Sequence, residues 1–444
     1  MMSMARMFGG QAYGAQNYRL VGIWFQVATY VSFCIAIPVL ACYLLTEVVL
    51  KALGKPDNIA YIGGALYANV LAITVPIRIL NSQLASFFLC QKILTPSQNG
   101  TIVALLANVL FGLYFVLGIG PLDWILQGWQ GELGFRAVAW TTVAAEYLQF
   151  LFVWFVYVKW LKWHKIEGKE CWQGFMWREI TRKRLKEYCK IYFPFAFGIA
   201  SDFWRMALVG FWASDIGQEA LFNGSYRLLW FGLGVMRAAM EATSTNLNIN
   251  IGRQDEQACK QTLRVGFTIM AVLVSVVCVV VFFFMRPLMT IFTDDAFVLD
   301  SAEEAAPFFS LVLLTMNLDV AFENVFGAFG WTTTVFKYGF VGSWVIQVPA
   351  VKLLTTYWSD DSRGLFLGVG VGYGVLSLRY LRLFLNINWS EVLADAKERA
   401  EKKSAVMQPI EDDEKDCSGS EFEEGNEQKS DDDEEDSFAN DVVV

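Results

Sequence analysis

The chain has 444 residues, of which 55% are hydrophobic and only 18% are charged. Soluble domains carry about a quarter charged residues, so this composition argues against a soluble protein. The formal net charge of −9 comes from the acidic residues between 411 and 441; the remainder is near neutral or slightly basic and lacks a nucleic-acid-binding signature. With one histidine, His164, and no CxxC pair among eight cysteines, we predict no metal site, no cofactor and no enzymatic activity.

Apolar stretches of about 20 residues recur along the chain, and each can cross a hydrocarbon core about 30 Å thick. Residues 1–17, which are polar and Gly-rich, are predicted to form a loop without a cleavable signal peptide. In chain order, the ten predicted transmembrane helices cover residues 20–45, 59–94, 101–120, 133–158, 191–213, 220–242, 265–292, 305–330, 336–357 and 364–387. We therefore predict an all-α, polytopic membrane protein that is embedded in a lipid bilayer.

The loops between these helices alternate in charge. Lys and Arg concentrate on one side, above all in residues 159–190, whereas intervening loops such as 294–304 are acidic. Because positive loops favour the cytoplasm, both termini are predicted to be cytoplasmic. Residues 391–444 are predicted to be an acidic, disordered cytoplasmic tail, because they lack the apolar surface needed to fold alone. The sequence does not distinguish the plasma membrane from a vacuolar or other organellar membrane.

An internal repeat predicts two pseudo-symmetric lobes. Gly14-Ala-Gln-Asn17 and Gly252-Arg-Gln-Asp255 each open a predicted helix, and they lie 238 residues apart. This offset preserves orientation across the membrane, so the repeats are parallel, as in many transporters. We predict an N-lobe with four helices (1–158), a basic inter-lobe loop (159–190) and a C-lobe with six helices (191–390). Shifted back by the same offset, the two leading helices of the C-lobe have no counterpart in this chain.

The opening motif resembles a known family. Gln11-Ala-Tyr-Gly-Ala-Gln-Asn17, followed by Val21-Gly-Ile23, is similar to the segment after the second helix of multidrug and toxic compound extrusion (MATE) transporters. The helix led by Pro194 and the loop after Gly252 add to the resemblance, which covers residues 9–389. It implies a twelve-helix, two-lobe antiporter that exports organic cations and other toxic compounds in exchange for protons or sodium. It also implies that the first two family helices are absent from this chain.

A charge inside a membrane helix costs about 2.5–3.5 kcal/mol and therefore needs a reason. Glu146, in the fourth predicted helix, favours a structural ion pair, because Arg136 and Lys159 flank it. Asp202, Asp319 and Glu323 are the stronger candidates for a site. By the resemblance, Asp202 and Asp319 match acidic positions of the seventh and tenth family helices. Glu323 follows Asp319 by four residues and shares its helix face. Neighbouring carboxylates can take up a proton as a cationic substrate leaves. We predict that Asp202, Asp319 and Glu323 bind substrate or the coupling ion, with Phe203 and Trp204 as aromatic contacts for a cation.

Other interpretations remain open at this point. The carboxylates can instead form structural ion pairs with Arg205, Arg227 or Arg237. These arginines are also consistent with a second function, that of a lipid-linked oligosaccharide flippase of the same superfamily, for which a cationic central cavity is expected. A degenerate or truncated protein without transport activity is a third alternative. The sequence favours a secondary active transporter for small organic solutes, coupled to H⁺ or Na⁺.

The glycine run Gly368–Gly374 superficially resembles a nucleotide-binding loop. It lies inside an apolar predicted helix with no strand before it, so it predicts close helix packing instead.

Overall fold

The structure is a computed structural model that describes residues 2–52, 54, 56–118, 134–163, 165–166 and 169–404. Over these residues it is almost entirely helical, and a hairpin of two short strands pairs β1 (Lys165–Ile166) with β2 (Lys169–Glu170). Its α-helices are α1 (Met2–Gly14), α2 (Tyr18–Leu44), α3 (Thr46–Ala52), α4 (Asp57–Tyr61), α5 (Asn69–Ala72), α6 (Thr74–Cys90), α7 (Thr95–Phe111), α8 (Phe135–Val153), α9 (Arg182–Asp215), α10 (Glu219–Gly252), α11 (Glu256–Met289), α12 (Ala296–Phe329), α13 (Thr332–Phe340), α14 (Val348–Tyr357), α15 (Ser362–Leu385) and α16 (Trp389–Ser404). The π-helical segments are Ile62–Ala68, Gly112–Val116, Trp154–Trp160 and Val341–Gln347, and Trp177–Glu179 forms a 3₁₀ turn.

Each of the predicted transmembrane segments coincides with a long helix or with a series of consecutive helices. In the described part of the chain, six helices are long and apolar enough to cross a membrane, or seven if the bent pair Asp57–Ala72 and Thr74–Cys90 counts as one span. The others are more polar; α10, for example, carries Arg227, Arg237 and Glu241. The all-α, polytopic membrane fold is confirmed.

The prediction of an N-terminal loop is wrong, because residues 2–14 form α1. Met4, Met7 and Phe8 have the spacing of one helix face and are buried, and Arg6 is only 5% exposed. The glycines and alanines that make this segment read as a loop allow α1 to approach its neighbours closely.

The repeated motifs have the same local structure. Gly14 ends α1 and Gly252 ends α10; Gln16 and Gln254 follow, both with φ of 60°. The next residues, Asn17 and Asp255, each accept a backbone N–H at the start of the following helix. This agreement supports the predicted repeat.

The two motifs also contact each other. A Cβ on Gly14 would lie 2.0 Å from the carbonyl oxygen of Ile249, and one on Gly252 would lie 2.2 Å from that of Gln11. A real Cβ does not approach another atom so closely, so glycine is required on both sides. Helices α1 and α10 therefore cross at a point that no larger residue could occupy.

Two predicted irregular segments are partly helical. Helix α9 begins at Arg182, so the last residues of the predicted 159–190 loop are helical. Before this helix, the side-chain amide of Gln26 donates to the carbonyl oxygen of Gly174 and accepts from the backbone N–H of Met176. The prediction of disorder from residue 391 is wrong as far as 404, where α16 ends. One face of α16 packs on the helix bundle, with Val392 and Ala396 buried. Residues 405–444, which contain the acidic run, lie outside the described residues.

Glycines bring α15 close to its neighbours, as the sequence predicts. A Cβ on Gly368 would lie 2.4 Å from Cα of Val351, and one on Gly372 would lie 2.2 Å from Cβ of Gln347. These contacts join α15 to α14 and to the π-helical segment Val341–Gln347. Helix α15 also packs along α12, and this places Ser377 and Tyr380 next to the carboxylates of α12.

Candidate substrate and ion-coupling site

A cavity of about 440 Å³ lies among α1, α9, α10, α12 and α15. All three predicted carboxylates line it: Asp202 from α9, and Asp319 and Glu323 from α12. Residues far apart in the sequence therefore meet at one site. The cavity has both polar and aromatic walls, because Phe203, Tyr226 and Trp230 line it as well.

Arg205 forms the most extensively bonded part of this site. Its Nη1 donates to Ser343 Oγ and Gln347 Oε1, both at 2.7 Å, and its Nη2 donates to the hydroxyl oxygen of Tyr373 at 2.5 Å. The side chain is 1% exposed, and its guanidinium lies 4.7 Å from the centroid of the Tyr373 ring. Ser343 and Gln347 both belong to the π-helical segment, so Arg205 fixes this segment against α9 and α15.

Asp202 pairs with Arg205 but remains open to the cavity. Its Oδ1 lies 3.3 Å from Arg205 Nη2 and accepts a longer bond of 3.4 Å from Ser343 Oγ. The ion pair expected as an alternative is therefore present. The Asp202 side chain is nevertheless 44% exposed, so its carboxylate can still meet a ligand.

Asp319 is buried, at 2% exposed, and is bonded through one oxygen. Its Oδ1 accepts a 2.5 Å bond from Ser377 Oγ, whereas Oδ2 has no hydrogen-bond partner among the described residues. A buried carboxylate oxygen without a donor is costly. A bound proton or cation would remove that cost.

Glu323 shares its donor with the backbone. The hydroxyl of Tyr380 lies 3.1 Å from the carbonyl oxygen of Val335 and 3.5 Å from Glu323 Oε1. A hydroxyl has one proton to donate, so the shorter contact to Val335 leaves Oε1 without a strong donor. Glu323, like Asp319, therefore has capacity for a further partner.

Trp204 does not line the cavity, and 63% of its surface is exposed on the outside of the bundle. One residue along a helix turns a side chain by about 100°, so its neighbour Phe203 faces the cavity instead. Phe203 stacks on Trp230, with ring centroids 6.0 Å apart and an interplanar angle of 12°. Arg227, one of the arginines considered above, is exposed and also lies outside the cavity.

Sequence reasoning missed a second charged group at this site. Glu241 of α10 forms an ion pair with Arg6 of α1 at 3.1 Å and a looser one with Arg237 at 3.7 Å. The spacing of Arg237 and Glu241 along one helix could have indicated their pairing. Arg6 gave no signal, because its segment was predicted to be a loop.

Comparisons with known proteins identify the family of this chain. A family model described as MatE matches residues 1–114 and 194–351. The chain belongs to the MATE family. Protein DETOXIFICATION 39 of Arabidopsis thaliana is 23% identical over 421 residues, covering 90% of this chain and 76% of that protein. Protein DETOXIFICATION 16 of the same plant is 24% identical, covering 89% and 78%.

Solved structures show the same fold. The crystal structure of the eukaryotic MATE transporter AtDTX14 has a TM-score of 0.77 at 17% identity and covers 90% of this chain and 85% of its own. An outward-facing structure of a multidrug resistance MATE transporter has a TM-score of 0.73 at 14% identity, covering 89% and 84%. The chain is thus an integral, multi-pass membrane protein of a transporter family.

Proposed function

We propose that this protein is a secondary active transporter that exports organic cations, or other xenobiotic or metabolite solutes, by antiport with protons or sodium ions. The observation that carries the proposal is Asp319, a buried carboxylate with one oxygen that lacks a donor among the described residues. It lies on the same cavity as Asp202 and Glu323. The cavity volume of about 440 Å³ is within the range that holds one small organic molecule.

Antiport follows if substrate and coupling ion compete for these carboxylates. A cationic substrate would meet Asp202, which is open to the cavity, while the aromatic wall holds its apolar part. A proton or sodium ion that occupies Asp319 or Glu323 would remove the negative charge that attracts the substrate. One site with two mutually exclusive positive occupants then couples the release of one to the binding of the other.

The charges favour export of small solutes over a lipid-linked oligosaccharide flippase. Arg6, Arg205 and Arg237 line the cavity, but so do four carboxylates, those of Asp202, Asp319, Glu323 and Glu241. The lining is therefore not cationic overall. The carboxylates, each costly in a membrane, also favour an active transporter over a degenerate protein without transport.

Uptake of a fluorescent organic cation into proteoliposomes with an imposed pH gradient tests the proposal. Asp319→Asn should reduce gradient-driven uptake by at least about tenfold, because the amide cannot exchange a proton at neutral pH. The substitution keeps an oxygen that can accept from Ser377 Oγ, so the fold should be preserved. A sodium gradient in place of the pH gradient identifies the coupling ion.

Asp360→Asn is the matched control, since Asp360 is exposed in the turn before α15. It should transport like the unmodified protein. Equal gradient-driven uptake by Asp319→Asn and Asp360→Asn would refute the role of Asp319. Background uptake by the correctly inserted unmodified protein under both gradients would refute cation antiport.

A further inference from the structure

The first turns of α9 carry a basic face, made of four exposed side chains: Arg182, Lys183, Lys186 and Lys190. At about 100° per residue, the four fall within about 100° of the helix circumference, whereas the buried Arg184 and Tyr188 lie on the opposite side. Over the described residues, none of the four forms an ion pair or a side-chain hydrogen bond. Glu187, the one acidic residue among residues 182–190, lies at the edge of this face. The basic face therefore keeps its positive charges for a partner outside the helix.

The same side of α9 continues as an aromatic face. Phe193 and Phe197 come one and two turns after Lys190, are 43% and 55% exposed, and have ring centroids 6.3 Å apart. Trp204, which is exposed on the outside of the bundle, lies further along the same line. The 34 residues of α9 span about 51 Å, whereas the hydrocarbon core is about 30 Å thick. The change from basic to aromatic side chains therefore indicates where α9 enters the hydrocarbon.

Contacts with α2 support this depth. The ring of Tyr188 stacks on that of Trp24, with centroids 6.5 Å apart, about two turns from the start of α2. Gln26 holds the segment before α9 against the same turns of α2. This segment exposes Phe175 and Trp177, whose rings stack with centroids 5.8 Å apart. Exposed aromatic rings at one level near the end of a bundle are typical of the membrane interface.

We infer that the start of α9 is a binding surface for an anionic phospholipid, whose phosphate lies on the basic face and whose acyl chains lie along Phe193 and Phe197. A cluster of Lys and Arg next to a membrane helix attracts anionic lipid, and each charge contributes roughly fivefold in affinity. A soluble anion would use the charges alone, whereas a lipid also uses the aromatic face. By the predicted orientation, the surface meets the cytoplasmic leaflet, which carries anionic lipids. Asp202 lies on the opposite side of α9, so this surface is separate from the proposed transport site.

Native mass spectrometry of the purified full-length protein tests this inference. It gives apparent dissociation constants for phosphatidylglycerol and for phosphatidylcholine with the same acyl chains. The unmodified protein should bind phosphatidylglycerol at least about tenfold more tightly. The double variant Lys186→Gln/Lys190→Gln should weaken phosphatidylglycerol binding by about 25-fold, because two charges are lost, and phosphatidylcholine binding by less than about threefold.

The control removes the same charge elsewhere on the same predicted side of the membrane. Arg253→Gln/Lys337→Gln changes two exposed side chains on separate elements and should bind both lipids within about threefold of the unmodified protein. The variant Phe193→Ala/Phe197→Ala should weaken both lipids by a similar factor, because it removes contacts with the acyl chains, which the two lipids share.

The acidic run 431–436, which lies outside the described residues, is the other anionic partner that the chain offers. If the full chain prefers phosphatidylglycerol only after this run is neutralised with Asn and Gln, the run covers the basic face and the lipid inference is wrong. Displacement of phosphatidylglycerol by millimolar glycerol phosphate would show a site for a soluble anion and would overturn it too.

Equal affinities of the unmodified protein for the two lipids, with or without the acidic run, would also overturn the inference. Unchanged phosphatidylglycerol binding in Lys186→Gln/Lys190→Gln, or an equal loss in the control, would do the same. The assay measures lipid binding without a gradient or a substrate, so its outcome is independent of the proposed antiport.

Discussion

Arg205 shows how a single residue can organise the site. A buried guanidinium is costly unless its donors and its charge are matched. Here the π-helical segment supplies Ser343 and Gln347, α15 supplies Tyr373, and Asp202 supplies the countercharge. The same residue thus orients Asp202 and holds three helical segments in register around the cavity.

Replacement of Arg205 by Met should destabilise the protein by about 2–4 kcal/mol, because several buried polar groups would lose their donor together. Arg205→Lys should have a smaller effect, since an ammonium group retains the charge but cannot reproduce the planar geometry. Thermal unfolding of purified protein measures both. Arg227→Met, at an exposed position of the next helix, is the control and should stay within about 1 kcal/mol. If the Arg205→Met and Arg227→Met variants unfold at the same temperature, the role assigned to the Arg205 network is wrong.

At the scale of whole elements, the contact between α1 and α10 depends on two glycines. Gly14 and Gly252 each face a backbone carbonyl oxygen of the other helix. Backbone atoms cannot move aside as the end of a flexible side chain can. The contact therefore fixes the distance between the helices more strictly than side-chain packing would.

Gly14→Ala should lower the thermal unfolding temperature by several degrees, because its Cβ would overlap the carbonyl of Ile249 and force α1 away from α10. Gly234→Ala is the matched control in α10, where a Cβ meets no atom within 4 Å. It should be neutral or stabilising by about 0.5–1 kcal/mol, as expected for this change inside a helix. Equal unfolding temperatures for the two variants would contradict the assigned crossing.

The sequence predicted most of these elements because long apolar stretches leave little choice in a membrane. Helix α1 escaped prediction because it is rich in small residues and is covered by protein on several sides. Helix α16 was not predicted because its few apolar residues lie on one face of an otherwise polar helix. At the site, the resemblance identified Asp202 and Asp319, and helical spacing identified Glu323. The hydrogen-bond partners of Arg205, which are Ser343, Gln347 and Tyr373, lie more than 130 residues further along the chain, and no local pattern connects such distant positions.

For the molecule as a whole, the length of α10 allows the orientation of the chain in the membrane to be tested. Its 34 residues span about 51 Å, more than the hydrocarbon core, so the turns at its two ends lie on opposite sides of a membrane that it crosses. The predicted orientation places the turn after Gly252 in the cytoplasm and the turn before Glu219 on the other side.

Single cysteines at exposed positions 215 and 253, introduced as Asp215→Cys and Arg253→Cys with the native cysteines replaced by serine, measure this orientation. A membrane-impermeant maleimide applied from the non-cytoplasmic side should label the first and not the second. Permeabilised membranes should label both, which shows that both sites are reactive. The reverse pattern would contradict the cytoplasmic assignment of the termini.

The position of the glycine crossing at one end of α10 has a consequence for any rotation of α1 against α10. Because α1 and α10 meet through equivalent motifs, a rotation of one helix past the other leaves Gly14 and Gly252 nearly in place. Trp230 lies 22 residues before Gly252, about 33 Å along the axis, so a rotation of about 10° would carry it through about 6 Å. A change too small to break the backbone contact at one end of α10 is thus large enough, at the level of the aromatic wall, to admit or expel a ring.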